Sequence, residues 1–288
     1  MARTVYLNGE WLPADQAKVS VFDRGFLFGD GVYEVVVAYE RHPFRLEQHI
    51  ARLAKSLVEV GIENPMGVHE WRFVIERLIS INADHHSSIY IQVSRGSSET
   101  RTHNYPVGLE PTVFICSQKI ALSTKATVDL PPCSAITLQD IRWDRGDIKS
   151  ISLLGSILLK KQVFEAGSDE GILIRNGLVA EGTASNIFIV VDGVVKTPKL
   201  NDWILTGVTR EYVFELCRRY DIQIIEADIS LNELSESDEI WLTSTTSEIR
   251  PVISLNGMSV GEGCAGPLWK KVAVYYERHK SELFTSGS

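Results

Sequence analysis

Ile141-Arg142-Trp143-Asp144-Arg145-Gly146-Asp147-Ile148-Lys149-Ser150 sets charges among apolar side chains and ends beside a lysine just ahead of a helical run. From Ser152 to Glu165 the apolar residues Leu153, Ile157, Leu158 and Phe164 recur with roughly the 3.6-residue period of a helix. Lys149 is therefore predicted in the connection entering that helix, where it is a candidate nucleophile. Desolvation and neighbouring cations, for which Arg142 and Arg145 are the candidates, lower an amine's pKa and free it to attack a carbonyl. A lysine taken alone is far more often a solvated surface group, so the rest of the chain has to decide.

The chain has 288 residues, 44% of them hydrophobic, enough to bury a large core and to suggest two domains. A net charge of -8 and a pI near 5.5 argue against nucleic acid as a partner and favour a small-molecule ligand. The opening Met1-Ala2-Arg3-Thr4-Val5-Tyr6 lacks an apolar signal core, and no apolar run approaches membrane-spanning length, so the expectation is a cytoplasmic protein without membrane contact. Cys116, Cys133, Cys217 and Cys264 lack paired spacing and read as reduced thiols. No metal is expected, since His85-His86 and the other histidines show no ligand spacing.

Along the chain, Asn8-Gly9, Asn176-Gly177, Asp192-Gly193 and Asn256-Gly257 each sit between strand-like runs and predict tight hairpins. Asp23-Arg24-Gly25-Phe26-Leu27-Phe28-Gly29-Asp30-Gly31 leads into Val32-Tyr33-Glu34-Val35-Val36-Val37, a β-branched run that reads as a buried strand. Gly29 and Gly31 do not make a dinucleotide fingerprint, because a strand and not a helix follows. Leu46, Ile50, Leu53, Leu57 and Val60 mark one helical face with His49 and Arg52 beside it; a second helix is predicted over 68–82. Strands are expected at 88–94 and 112–117, a polar loop between them carries Arg101-Thr102-His103, and further elements include a helix over 206–220 and a last helix from Pro267. The expected domains are 1–119 and 125–288, joined by a linker at 120–124, with the lysine in the second.

Three pieces carry chemistry. Thr206-Gly207-Val208-Thr209 at a helix start offers free amides and a hydroxyl suited to an anion, although such residues are more often plain caps. Ser244-Thr245-Thr246-Ser247 adds hydroxyls after a strand, although such a cluster is usually a turn, and Glu181 before Gly182-Thr183-Ala184-Ser185-Asn186 reads either as a buried carboxylate partner, able to pair with a ring nitrogen, or as a plain surface acid. A lysine, an anion cradle and such an acid together are what pyridoxal phosphate chemistry needs. Their order, with Asp23-Arg24-Gly25 through Glu34, His49-Ile50-Ala51-Arg52-Leu53, Asp147-Ile148-Lys149-Ser150, Gly207-Val208-Thr209-Arg210 and Thr243-Ser244-Thr245-Thr246, resembles the fold-type IV (class IV) pyridoxal-phosphate aminotransferases across nearly the whole chain.

The resemblance implies an α+β fold of two domains with pyridoxal 5′-phosphate between them. It makes Lys149 the catalytic lysine that carries the cofactor and moves the substrate Cα proton, and Glu181 the acid that keeps the pyridine nitrogen protonated. Arg52, the amides of Val208 and Thr209, and the hydroxyls of Thr209 and Thr245 would bind the phosphate; Leu205 would pack on the ring, with Ser185, Asn186 and Ser244 in the cofactor shell. Tyr33, Arg101 and His103 look like the carboxylate trap of the D-amino-acid aminotransferases, with Val35, Thr245 and Thr246 also facing the substrate. In that subfamily the trap loop comes from the second subunit of a homodimer. The chain departs from the pattern at Gly146, where relatives often carry cysteine, at Thr206, where many carry proline, and in a longer loop before Arg101.

The implied reaction exchanges an amino group between a D-amino acid and a 2-oxo acid. A branched-chain L-amino-acid aminotransferase, an (R)-amine transaminase and an aminodeoxychorismate-type lyase use the same cofactor site and stand as alternatives.

Overall fold

A computed structural model of the chain describes residues 3–120 and 126–285. The expected linker falls almost wholly on 121–125, outside the described residues. The described residues form two compact units, bounded as Met1–Ser123 with Ile148–Leu153, and Thr124–Asp147 with Leu154–Ser288.

The first unit comprises β1 (Thr4–Leu7), β2 (Glu10–Pro13), α1 (Arg24–Phe28), β3 (Gly31–Tyr39), β4 (His42–Pro43), α2 (Leu46–Glu59), α3 (Val68–Asn82), β5 (Ser87–Ser94) and β6 (Thr112–Lys119). Its six strands make an antiparallel sheet in the order β2-β1-β6-β5-β3-β4. The period-2 alternation of a strand puts Val32, Val36, Ile89, Ile91, Val113 and Ile115 on one face, where Leu46, Ile50, Leu53 and Leu57 of α2 and Trp71, Ile75 and Leu78 of α3 close the core. Tyr33 and Val35 of β3, Tyr90 and Gln92 of β5 and Phe114 of β6 take the other, half-exposed face.

The lysine segment belongs to this unit, which corrects the expectation that the second domain carries it. Tyr33 N donates to Lys149 O at 2.9 Å, Ile151 N donates to Gly31 O at 3.1 Å, and Ser150 bridges Val32. Gly31 makes the approach possible: a Cβ there would lie 2.6 Å from Val93 O and 3.0 Å from Ile151 Cδ1.

The second unit comprises β7 (Cys133–Gln139), α4 (Leu154–Glu165), β8 (Glu170–Arg175), β9 (Leu178–Gly182), β10 (Asn186–Val191), β11 (Val194–Pro198), α5 (Val208–Arg219), β12 (Ile224–Ala227), α6 (Leu231–Ser235), β13 (Glu239–Ser244), β14 (Glu248–Leu255), β15 (Met258–Ser259) and α7 (Pro267–Thr285). The sheet runs β12-β11-β10-β13-β14-β7-β8-β9 with β15 against β14. It is mixed: β11/β12, β14/β7 and β7/β8 are parallel, while the hairpins are antiparallel. One face buries Ile172, Ile187, Ile189, Ile240 and Leu242. On β10 and β13, Phe188 and Trp241 alternate with that set and are also fully buried; Phe188 meets Phe214 of α5 at a centroid distance of 6.2 Å.

All four hairpin dipeptides adopt the positive φ pair of a type I′ turn, at 47° and 95° for Asn8-Gly9 and 53° and 80° for Asn176-Gly177, for example. Helix α4 departs from expectation. Leu159 and Val163 are its buried residues, and Val163 reaches toward the bare Cα of Gly171 on β8, whereas Ile157, Leu158 and Phe164 are 60%, 46% and 83% exposed. Apolar residues surround this helix, so periodicity alone does not select the packed face.

Candidate functional site

Lys149 is half-buried, and its Nζ lies 4.2 Å from the centroid of the Tyr33 ring, a cation–π distance. Ser56 of α2 accepts from Lys149 N at 3.4 Å, so both backbone sides of the lysine are tethered. Tyr33 stacks on Tyr90 at 5.7 Å, and Tyr90 donates to Gln92 Oε1 at 2.8 Å. Burial pushes the Tyr90 hydroxyl up to about 12, which keeps it a donor. Val35, two residues on, shares the Tyr33 face. Arg142 and Arg145 are not free cations available to the lysine: Arg142 pairs with Asp140 and Glu181, and Arg145 Nε donates to Asp147 at 2.9 Å.

Arg52 is almost buried and docks as a fork on Glu34, with Nε to Oε2 at 2.9 Å and Nη2 to Oε1 at 2.7 Å. His49 Nδ1 lies 3.1 Å from the same Oε1. Burial opposes charge on Glu34, yet Arg52 and His49 more than offset it and hold the carboxyl well below its usual range. Burial likewise lowers the His49 pKa, despite the pull of Glu34, on which its Nδ1 is set.

Arg101 and His103 meet on one ring. The Arg101 guanidinium carbon lies 5.0 Å from the Phe28 centroid and the His103 ring 5.2 Å, while Arg24 stacks on the same Phe28 at 4.8 Å. Arg24 also donates to Thr102 O at 2.9 Å, and Arg95 donates to the Tyr105 hydroxyl at 3.2 Å, so the loop is held on both sides of His103. Asp30 bridges Arg24 and Arg95, each at 2.8 Å.

In the second unit Glu181 is buried and fully engaged. Arg142 Nη1 donates to Oε1 at 2.5 Å; Leu205 N and Asn186 Nδ2 donate to Oε2 at 3.0 and 3.1 Å. Burial raises its pKa, and Arg142 and the Leu205 amide only partly offset this. Asn186 also donates to Leu205 O at 2.9 Å, locking the connection that precedes α5.

Helix α5 starts at Gly207 without a side-chain cap, which leaves the first-turn amides of Val208 and Thr209 without intrahelical acceptors. A Cβ on Gly207 would lie 1.9 Å from Asn186 Oδ1, so only glycine lets the helix start come this close. Thr209 is buried in that first turn, and Thr243, opposite Asn186 in the β10/β13 register, keeps a buried hydroxyl that has no partner among the described residues. Ser244 Oγ accepts from Ser247 N at 3.1 Å across the turn that carries the half-exposed Thr245 and exposed Thr246. Ser185 Oγ donates to Glu170 Oε2 at 3.1 Å.

Sequence reasoning missed the partners: Glu34 for Arg52, Arg142 and Asp140 for Glu181, and the Arg24–Phe28 platform. One signal was available. A lone glutamate inside a β-branched strand is buried by its neighbours and must meet a cation. Among the described residues no group of three or more His, Cys, Asp or Glu is placed to hold a metal, and no helix is long and apolar enough to cross a membrane.

The D-alanine aminotransferase of Bacillus licheniformis is 40% identical over 268 residues, 93% of this chain and 94% of that protein. The D-alanine aminotransferase of Listeria monocytogenes serotype 4b is 36% identical over 94% of each. Among solved structures, the branched-chain aminotransferase of Thermoproteus uzoniensis superposes with a TM-score of 0.85 at 28% identity, over 96% of this chain and 94% of that one. The branched-chain amino acid aminotransferase of Escherichia coli also gives 0.85, at 27% identity over 94% of this chain and 92% of that one. The family profile for amino-transferase class IV spans residues 31–255, from the strand that holds the lysine segment to the end of β14. With that span covered and relatives this similar over nearly their full length, the chain belongs to the class IV aminotransferases.

Proposed function

We propose that this aminotransferase depends on pyridoxal 5′-phosphate and exchanges the amino group between a D-amino acid and a 2-oxo acid, pyruvate or 2-oxoglutarate, in a ping-pong sequence. The observation that carries the reading is the gathering of Arg101 and His103 on Phe28, which gives one carboxylate a planar charged donor and a ring donor together. The D-alanine aminotransferase relatives, 33–40% identical over nearly the whole chain, support the same substrate class.

The residues present fit the cofactor. In the second unit an uncapped helix start at Val208 and Thr209 and the orphan hydroxyl of Thr243 suit a phosphate, Glu181 suits a ring nitrogen, and Asn186, Leu205, Ser244 and Thr245 suit the rest of a cofactor shell; in the first unit the Arg52 guanidinium suits a phosphate. When bound, pyridoxal phosphate supplies the sink for the electron pair released at the substrate Cα. Lys149 would hold the cofactor and move the proton at that Cα, with the Tyr33 ring 4.2 Å from its Nζ helping to direct the amine. Arg101 and His103, with Tyr33, hold the α-carboxylate so that the Cα proton of a D-amino acid faces the lysine. We read the assembly as a homodimer, supported by the exposed Leu154, Ile157, Leu158 and Phe164 on α4. Four cysteines without disulfides suit a cytoplasmic setting.

The branched-chain reading keeps a footing in the fold itself, since solved structures that superpose this well are named branched-chain aminotransferases. A donor panel separates the two. The holoenzyme, given one amino donor at a time and a 2-oxo acid, should deaminate D-alanine or D-glutamate fastest. Lys149→Ala should abolish this turnover, and Arg101→Ala should lower kcat/KM for D-donors about 30- to 1000-fold, the equivalent of about 2–4 kcal/mol, while sparing the cofactor spectrum. Faster use of L-leucine or L-isoleucine than of every D-amino acid would replace the D-reading, as would faster use of an (R)-amine lacking a carboxylate. Wild-type turnover by Lys149→Ala would remove the lysine assignment.

A further inference from the structure

Behind Glu181 runs a chain of alternating charges. Arg142 donates Nη1 to Glu181 and turns its other edge on Asp140, with Nε to Oδ1 and Nη2 to Oδ2 both at 3.0 Å and its own backbone N to Oδ1 at 3.0 Å. Arg175 takes the far side of Asp140, with Nε to Oδ2 at 3.2 Å, and ends on the exposed Asp144 at 2.7 Å. The order is Glu181, Arg142, Asp140, Arg175, Asp144, three carboxylates and two guanidinium groups reaching from a buried acid to solvent. Only one end of this chain faces the cofactor chemistry.

We propose that Arg142, shared between Glu181 and Asp140, is the positioning residue that sets how readily Glu181 gives up its proton, with Asp140 as the counterweight that limits it. The inference rests on the reading of Glu181 as the partner of the cofactor ring nitrogen. Among the described residues Glu181 has one cation in contact, Arg142, and otherwise neutral donors from Leu205 and Asn186. A guanidinium on one oxygen disfavours a proton on the carboxylate and favours it on whatever base the carboxylate meets. Asp140 divides that field, because its own charge draws two of the three Arg142 nitrogens. Burial drives Glu181 towards the neutral acid, Arg142 drives it back and Asp140 works with burial.

Two substitutions then have opposite signs, which a merely structural role would not produce. Arg142→Met removes the cation and should raise the pH at which Glu181 releases its proton, by about one unit or more. Asp140→Asn removes the competing charge from Arg142, whose Nη2 keeps Trp203 O at 3.3 Å, and should lower that pH. The full-length protein without cofactor is titrated by infrared difference spectroscopy, reading the protonated carboxyl band that Glu181→Gln removes. Arg142→Lys, which keeps the charge without the fork, should fall between wild type and Arg142→Met and covers the case in which the methionine variant does not fold. In the holoenzyme, a one-unit shift should slow the half-reaction with D-alanine about tenfold at pH values where Glu181 has become protonated. No movement of the band in Arg142→Met or Arg142→Lys, or movement of the same sign in Asp140→Asn, overturns the proposal. Opposite shifts of the band with unaltered half-reaction rates would uphold the charge relay and instead overturn the ring-nitrogen role of Glu181.

Discussion

Glu34 and Glu181 are each buried against an arginine, and the surroundings drive them in opposite directions. Glu34 receives both faces of the Arg52 fork, the His49 ring and the Val35 amide at 2.8 Å. Glu181 receives one nitrogen of Arg142, whose remaining edge is held by Asp140, and two neutral donors. Burial alone would raise both; Glu34 nevertheless ends well below the ordinary carboxylate range and Glu181 above its own ordinary value. The difference lies in the contacts. Two guanidinium contacts and the His49 ring on Glu34 more than offset desolvation, and the single guanidinium contact on Glu181, from an arginine divided between two carboxylates, does not. The first arrangement makes a fixed anion suited to anchoring Arg52, and the second makes an acid whose proton is within reach of chemistry.

The strongest way to break this contrast is Glu34→Gln. It removes the carboxylate charge on which the Arg52 fork, 10% exposed, is docked, and breaking one partner of a buried pair costs about 3–5 kcal/mol. Urea unfolding of the full chain should show a loss of that size at neutral pH, and a loss under about 1 kcal/mol would mean that water or another group carries the Arg52 charge.

The pH dependence sharpens the same point. A carboxyl lowered by folding contributes stability that is present above its unfolded pKa and is lost as pH falls through the folded one. Wild type should therefore lose more stability than Glu34→Gln between neutral pH and about pH 3, where acid-side linkage acts. Parallel pH profiles for the two proteins would show that Glu34 is not the group responsible.

These pairings also mark where the sequence stops being informative. The four tight hairpins are legible because Asn-Gly and Asp-Gly encode positive φ locally. The helices at 46–59 and 68–82 are legible because their apolar stripes are one-sided, and the order of short motifs around Lys149, Glu181 and Gly207 carries the family. What stays hidden depends on distant partners. Arg142 reaches Glu181 across 39 residues and Arg52 reaches Glu34 across 18, and no local pattern states those distances. Closeness in sequence pairs Arg142 with Lys149, yet it says nothing about which acid claims the guanidinium. Helix α4 misleads for a related reason: its packed side is chosen by the bare Gly171 on β8 and not by its own composition.

The smallest expected change in stability comes from Glu181→Gln, and its smallness is the test. Arg142 after loss of the Glu181 charge still has Asp140 at 3.0 Å on two of its nitrogens. The glutamine keeps an acceptor for the Leu205 amide, and it removes a carboxyl that burial penalises when ionised. The sign follows from the raised pKa: the stability contributed by Glu181 is present below its unfolded pKa and is lost as pH rises through the folded one, so at neutral pH the charged group adds little. Urea unfolding at neutral pH should place Glu181→Gln within about 1 kcal/mol of wild type. The half-reaction with D-alanine should nevertheless slow by far more than cofactor affinity falls, since a neutral amide cannot favour a protonated ring nitrogen as a carboxylate does. A loss of stability as large as that of Glu34→Gln would mean that Arg142 depends on Glu181 as strongly as the Arg52 fork does on Glu34, and the contrast between the two carboxylates would be gone.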